Sequence, residues 1–545
     1  MEETEELRSI LPYLPVVMRS SSLFWPSQVV ETLRELGRGR VDSVHDLLLA
    51  ISDLRNSLSL SSEPLAPSTS HGYALFFDEM MSREESRKWF EEVIPALGNL
   101  LLRLPSLLEA HYENADMVID GEGTIVKTSL RLLDSQQAGI VFLSQELIAA
   151  LLGCSLFCLF PVSDRYVKHL PMINFDELFA SLYDDYSQKQ ENKIWCLVHY
   201  FQRIRSDMPK GVVSFERKVL PFENDYVHIS YPDANFWSTS VIPLCEFEVH
   251  SSGHIEDQSS GAVEVDFANK YLGGGALRRG CVQEEIRFMV SPELVAGMLF
   301  LPAMADNEAI EIVGAERFSS YTGYASSFRF SGDYVDERDA DSVGRRKTRI
   351  AAIDALCSPG MRQYRENFLL REINKAFCGF LYQSKYQQYQ KIMQENGCSS
   401  ALFDGAASTS METSEGKIPN HEIRNSQNDY HRMDEGNNIG VATGNWGCGA
   451  FGGDPEVKTI IQWLAASQAL RPFIAYYTFG LKALQNLDEV AHWILSQRWT
   501  VGDLWNMLIE YSTNRSKGET NVGFLQWLLP SIYGHRAGMD LPNMP

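Results

Sequence analysis

A change in the period of the apolar residues near residue 213 limits what this chain can fold into more than any other feature of its sequence. Up to about residue 210, apolar residues recur at i, i+3, i+4 and i+7 behind ordinary helix starts, the spacing of amphipathic helices. Ser82 and Glu85, ahead of Trp89, Phe90, Val93 and Ile94, are spaced for a capping box, and Val29, Val30, Leu33 and Leu36 form a stripe closed by Gly37. After residue 213, short β-branched runs alternate with Gly-rich turns and helices, the texture of an α/β or mixed layer domain. Ala262–Phe267, Ala309–Gly314, Ile350–Ile353, Ile439–Thr443 and Phe473–Phe479 read as its strands. The expected organisation is a helical accessory domain over 1–212, a catalytic domain over 213–480, and C-terminal helices over 481–545 packed on that domain. Trp493, Trp505, Leu508 and Trp527 are the apolar anchors of the C-terminal helices. Ser57 to Ser70 reads as a surface loop, and about 395–438, polar and Gly/Ser-rich, as a disordered insertion.

Composition narrows the function. The 545 residues, 44% hydrophobic, are enough for a real core and, at about 150 residues per domain, for two to four domains. A formal net charge of −23 excludes a protein that wraps nucleic acid by neutralising phosphates, so direct DNA binding is not expected and any polyanion must be held locally. Nine scattered cysteines with no CxxC spacing predict neither a disulfide framework nor a zinc site, and point to a reducing compartment. The start, Met1-Glu2-Glu3-Thr4-Glu5-Glu6, is the opposite of an export signal. Leu147 to Phe160, the most apolar stretch, has the length of a buried core helix, so no membrane association is expected.

Two Gly-rich constellations carry the chemistry. Gly273-Gly274-Gly275 leaves a predicted strand and is followed seven residues later by Gln283-Glu284-Glu285. Three glycines let backbone amides approach a phosphate, and a carboxyl beside a negatively charged ligand has its pKa raised, which suits a general acid. Neighbours i and i+1 point in different directions, so one of the two glutamates is expected to reach the reacting bond. The second constellation, Thr443 to Pro455, lies between a strand and a helix, with Asp454 placed as N-cap and Pro455 at the first helical position. Phosphates could dock on this loop. Gly447, Gly449 and Gly452 also satisfy the dinucleotide pattern, but the following strand ends in Tyr476-Tyr477-Thr478-Phe479-Gly480 without the acidic residue of a nicotinamide enzyme. Tyr324, Phe451 and Phe479 stand at Gly-rich turns where an aromatic ring can stack on a base. Cys448 could serve as a nucleophile but is better read as a small buried residue, and Arg345 to Arg349 reads as a turn before a strand rather than a nuclear signal.

The glycine run, its seven-residue spacing to Gln-Glu-Glu, and the segments Val265 to Asn269, Thr322 to Ala325 and Thr443 to Asp454 resemble the poly(ADP-ribose) glycohydrolase family, in its compact plant-type form. The resemblance runs from about Val213 to Gly480, and the helical half is similar to the family's accessory domain. It implies a three-layer macrodomain-like catalytic domain that hydrolyses ribose–ribose O-glycosidic bonds of poly(ADP-ribose), mainly from the chain end, with no cofactor and no metal. By the same resemblance Glu285 is the acid/base, Glu284 binds the substrate ribose, and Asp266 and Asn269 orient the loop and the terminal ribose. Gln283 borders the nucleotide pocket, Ile255 and Glu256 recognise adenine, and Tyr324 and Phe479 contact the nucleotide. Asn445, Gly449 and Phe451 would cover the diphosphate and ribose, and Gly273, Gly274 and Gly275 would be substrate-binding as well. The partners implied are poly(ADP-ribose) and poly(ADP-ribosyl)ated proteins; a monomer in nucleus and cytoplasm, acting in the DNA damage response, is the family expectation. The alternative is an ADP-ribose-binding module with slow turnover.

Overall fold

A computed structural model describes residues 5–115, 127–224, 227–229, 231–258, 261–382 and 439–528. It falls into two compact units, each built from two stretches of chain: Met1–Val219 with Asp266–Ala355, and Leu220–Val265 with Leu356–Pro545. The insertion expected over about 395–438 lies outside the described residues.

The first unit joins the N-terminal helices to four antiparallel strands. Helices Ser27–Gly37, Val44–Ser57, Ile94–Leu102, Gln145–Leu156 and Gln188–Ser206 are its principal helical elements. The capping box is formed: the Glu85 amide donates to the Ser82 hydroxyl and the Ser82 amide to the Glu85 carboxylate, at 3.2 and 3.1 Å. Every residue of helix Gln145–Leu156 except Glu146 is buried, as a core helix should be. Among the described residues no single helix is long and apolar enough to cross a membrane.

Gly139–Ser144 pairs with Val212–Val219, which pairs with Glu308–Val313, which pairs with Arg349–Ala352, every pairing antiparallel. The strand Gly139–Ser144 and the hairpin Val17–Arg19 with Ser22–Phe24 depart from the helical texture of this half. The β-branched and aromatic run Ile140-Val141-Phe142 takes its hydrogen bonds from a strand some seventy residues later, a partner that local periodicity does not register. One apolar core contains Leu147, Leu151 and Phe201 of the helices together with Phe215, Phe288, Leu294 and Ile312. The texture change near residue 213 is therefore a change of secondary structure and not a break in packing. Arg217 and Glu308, both fully buried, pair within this core, and Arg217 also donates to the carbonyls of Leu133 and Pro302. The basic run is a turn whose charges are matched, Arg345 by Asp341, Arg346 by Glu316 and Arg349 by Glu311.

In the second unit four strands run parallel in the order Val263–Asp266, Val441–Gly444, Phe473–Tyr477 and Glu246–His250, with the last residue of Val263–Asp266 passing into the first unit. Parallel neighbours need crossover connections, and helix Pro455–Gln468 supplies the one between Val441–Gly444 and Phe473–Tyr477. Asp454 caps it, accepting from the Glu456 and Val457 amides at 2.9 and 3.3 Å. The chain then forms helices Leu487–Ser496 and Val501–Lys517, in which Trp505 and Leu508 are buried, while Trp493 and, beyond them, Trp527 are only half-buried. An antiparallel and a parallel set of strands, both flanked by helices, make the chain an α/β protein.

Candidate active site

The glycine run and the paired glutamates meet at the start of helix Gln283–Val290. Adjacent carboxylates at its second and third positions lie where the helix dipole favours negative charge. Each of their four oxygens accepts a backbone N–H. Glu284 takes the amides of Gly273 and Asn269 at 2.7 and 2.8 Å, and Glu285 those of Gly275 and Val282 at 2.9 and 2.8 Å. Gln283 accepts from the Phe267 amide at 2.8 Å, and Asn269 Oδ1 from the Tyr271 amide at 3.0 Å, so the loop from Phe267 to Val282 is folded around the three side chains. The middle glycine makes that wrapping possible: Gly274 has φ +49°, and a Cβ there would stand 2.5 Å from Glu284 Oε2.

This corrects the expectation that the three glycines cradle a phosphate. Gly273 and Gly275 give their amides to the glutamates, and Gly274 gives its own to the Tyr271 carbonyl at 2.9 Å. The run is a carboxyl holder, because the two glutamates bring acceptor oxygens to its amides before any ligand can.

Asp266, at the end of its strand, is 1% exposed and its carbonyl accepts from the Ile353 amide at 3.2 Å. Burial, and then the neighbouring charges of Asp266 and Glu285, push Glu284 well above the usual carboxylate range against the pull of its two amides. Glu284 is 2% exposed and Glu285 is 7%. Tyr324, 55% exposed, has its hydroxyl beside the Gln283 backbone and in the field of Glu285, and burial of that end raises its pKa. Asp266, Asn269, Gly273 to Gly275, Gln283, Glu284, Glu285 and Tyr324 thus belong to one cluster of the first unit.

The remaining expected site residues belong to the second unit. Asn445 braces its loop, donating to the Thr478 carbonyl at 3.1 Å and accepting from the Tyr476 hydroxyl at 3.2 Å. Gly449 is exposed and Phe451 half-buried on the same loop. Loop bonds from Trp446, Cys448, Gly452 and Gly453 use those amides, whereas among the described residues the amides of Gly447, Gly449, Ala450 and Phe451 donate to no protein acceptor. This loop, and not the three-glycine run, is the one with amides to offer an anion. The half-buried Cys448 has its thiol pushed up by burial of the sulfur and bonds the Trp446 carbonyl, which favours a structural role over a nucleophile. Phe479 is half-exposed with φ +51°, its ring 6.3 Å from that of Tyr477, which in turn stacks on His250. Ile255 and Glu256 form a short buried turn. Among the described residues no group of His, Cys, Asp and Glu is arranged to hold a metal ion.

Sequence reasoning missed Lys193. Its side chain is fully buried in the first unit and its ammonium donates to the Arg278 and Gly280 carbonyls, both at 2.6 Å. In the sequence it closes a polar run, Gln188 to Lys193, that looks like the solvated start of a helix.

Family models match in two stretches: the helical domain of poly(ADP-ribose) glycohydrolase over residues 81–217, and its macro domain fold over residues 234–486. The chain is 58% identical to poly(ADP-ribose) glycohydrolase 1 of Arabidopsis thaliana, with 98% of each chain covered. It is 54% identical to the probable poly(ADP-ribose) glycohydrolase 2 of the same plant, covering 98% of this chain and all of that one. Poly(ADP-ribose) glycohydrolase 1 of Caenorhabditis elegans is 31% identical over 58% of this chain and 35% of its own length.

Proposed function

The chain belongs to the poly(ADP-ribose) glycohydrolase family, a group of hydrolases acting on glycosidic bonds, and we propose that it releases ADP-ribose mainly from polymer ends with Glu285 as the proton-transfer residue. The observation that carries this reading is the pair of glutamates, each held by two amides at a helix start, with Glu285 the more exposed and facing Tyr324. As the ribose–ribose bond breaks, Glu285 gives its proton to the leaving ribose oxygen while an oxocarbenium ion develops. The resulting carboxylate then takes a proton from the water that attacks the ion. Backbone amides already aimed at both its oxygens stabilise that carboxylate without reorganisation.

Glu284 and Asp266 share a different task. Burial and the charges of Asp266 and Glu285 push Glu284 upward, which weakens negative charge beneath a substrate that brings its own phosphates, and Glu284 would bind the ribose. Asn269 and Gln283 fix the loop. In the second unit the uncommitted amides around Gly449, with Phe451 and Asn445, would take the diphosphate; Phe479 and Tyr324 would contact the nucleotide, and Ile255 with Glu256 the adenine. Action as a monomer in nucleus and cytoplasm on poly(ADP-ribosyl)ated proteins belongs to the same proposal, which sedimentation and imaging of a fluorescent fusion would test.

The deciding experiment measures free ADP-ribose released from poly(ADP-ribose) by the intact protein and by Glu285→Gln, with ADP-ribose binding followed calorimetrically for both. The expected result is a variant that binds normally and turns over at least 10³-fold more slowly, within the range for loss of a proton-transfer group. A variant that still cleaves at the wild-type rate removes Glu285 from this role, and a wild type that binds but does not cleave makes the chain a reader of ADP-ribose.

A further inference from the structure

We propose that Lys193, on helix Gln188–Ser206 of the N-terminal half, is a positioning residue of the hydrolysis: it holds the turn that aims the Gly275 amide at Glu285. This inference rests on the role assigned to Glu285 above.

The turn from Gly275 to Gly280 has two sides. On one, the Gly275 amide donates to Glu285 Oε1 at 2.9 Å, and Gly280 lies so close that a Cβ on it would stand 2.6 Å from the same oxygen. On the other, the Lys193 ammonium donates to the Arg278 and Gly280 carbonyls at 2.6 Å each and stands 3.4 Å from the Gly275 carbonyl. The turn is closed on itself by Gly280 N–H to the Gly275 carbonyl at 3.0 Å. One cation therefore fixes both ends of the segment whose opposite side touches the reacting carboxylate. The same helix adds two more grips, Gln190 Nε2 on the Arg278 carbonyl at 2.9 Å and Lys189 Nζ on the Arg279 carbonyl at 3.1 Å.

A structural tether alone would not call for a buried charge, because taking an ammonium out of water is costly and a neutral donor could hold a carbonyl. Here burial pulls the ammonium down to about 8, with Cys281 and Glu285 acting in the opposite direction, Lys189 lowering it and Cys196 raising it. Glu285 is thus among the groups that keep the buried lysine charged, so the grip on the turn is electrostatically linked to the reacting carboxylate. The helical half thereby reaches the chemistry without touching substrate: it sets where Glu285 points.

The test compares full-length wild type, Lys193→Met and Glu285→Gln in kcat, KM for poly(ADP-ribose), ADP-ribose affinity and the pH profile of kcat. Lys193→Met is expected to fold, to keep KM and ADP-ribose affinity within twofold, and to lose at least fivefold in kcat at pH 7. The wild type's alkaline loss of kcat near pH 8, where the ammonium deprotonates, is expected to be absent from the variant. A kcat loss under fivefold, an unchanged alkaline limb, or parallel loss of binding in a folded variant would each overturn the proposal. Should Lys193→Met not fold, Gln190→Met decides: a kcat decrease of about threefold at unchanged KM supports positioning through this turn, and wild-type kcat overturns it. Retained activity in Glu285→Gln defeats the acid assignment itself, whereas an inactive Glu285→Gln beside a fully active Lys193→Met defeats only the positioning.

Discussion

Gly274 shows how little freedom the reacting carboxylates have. Its backbone lies in the left-handed region, and its missing side chain leaves the space that Glu284 Oε2 and Glu285 Oε1 occupy, 2.5 and 2.8 Å from where a Cβ would stand. Gly274→Ala is therefore expected to shift both glutamates and to lower turnover by about 10²-fold, the effect of a misplacement of roughly 1 Å, while lowering stability by about 1–3 kcal/mol. Gly449 is the control for stability: with nothing within 4 Å of its Cβ position, Gly449→Ala should keep its unfolding free energy within about 0.5 kcal/mol of wild type. Thermal melts separate the two variants, with polymer turnover measured on Gly274→Ala alone because Gly449 lies on the loop proposed to bind the diphosphate, and equal losses of stability would contradict the geometry.

Helix Pro455–Gln468 carries a second ionisable group with a pH signature. Glu456 accepts from the Leu525 amide at 2.6 Å, tying the segment after helix Val501–Lys517 to this crossover helix, and burial, together with nearby Asp454, raises its pKa to about 7. A folded-state pKa above the unfolded value means that its stabilising contribution is complete below about pH 4.5 and is lost as pH rises through 7. Glu456→Gln keeps an acceptor for Leu525 without ionising, so its stability should gain on wild type between pH 5 and pH 8, by about 1–2 kcal/mol after allowance for its partial exposure, read as a rising Tm difference. A Tm difference independent of pH would show that Glu456 does not titrate in this way. The crossover helix itself was legible in the sequence, because Asp454, Pro455 and the stripe that follows are local signals, as were the five predicted strands, each found within two residues of its expected ends. The spacing of the glycine run to Glu284 and Glu285 was legible too. What those glycines bind was not, since the pattern records that amides are accessible and leaves open whether ligand or protein takes them. Gly139–Ser144 and Lys193 escaped for one reason: their partners are remote in sequence, and a polar run on a helix reads as solvated until something packs over it.

At the scale of the whole molecule, charge and core set two further expectations. A protein of net charge −23 acting on a polyanion is repelled by its substrate at long range, so kcat/KM should rise about two- to fivefold as NaCl is raised from roughly 20 to 150 mM, the opposite of a phosphate-neutralising binder. A fall over that range would reveal a basic approach path. Because the N-terminal helices share one core with Phe215, Phe288 and Ile312, a fragment beginning at Val213 should show no cooperative melt and no turnover. A soluble, active fragment would show that the helices are dispensable. The discontinuity of the first unit has a consequence for synthesis. Its core is completed only when residues up to Ala355 have been made, after a detour through Leu220–Val265, which belongs to the other unit. At about 5–20 residues per second, the ribosome spends on the order of ten seconds between Val219 and Ala355. Throughout that interval the nascent helices expose the apolar faces that Phe288 and Leu294 will later cover. The amount of active protein a cell obtains is then governed by whatever shields the growing chain during those seconds, however stable the finished molecule is.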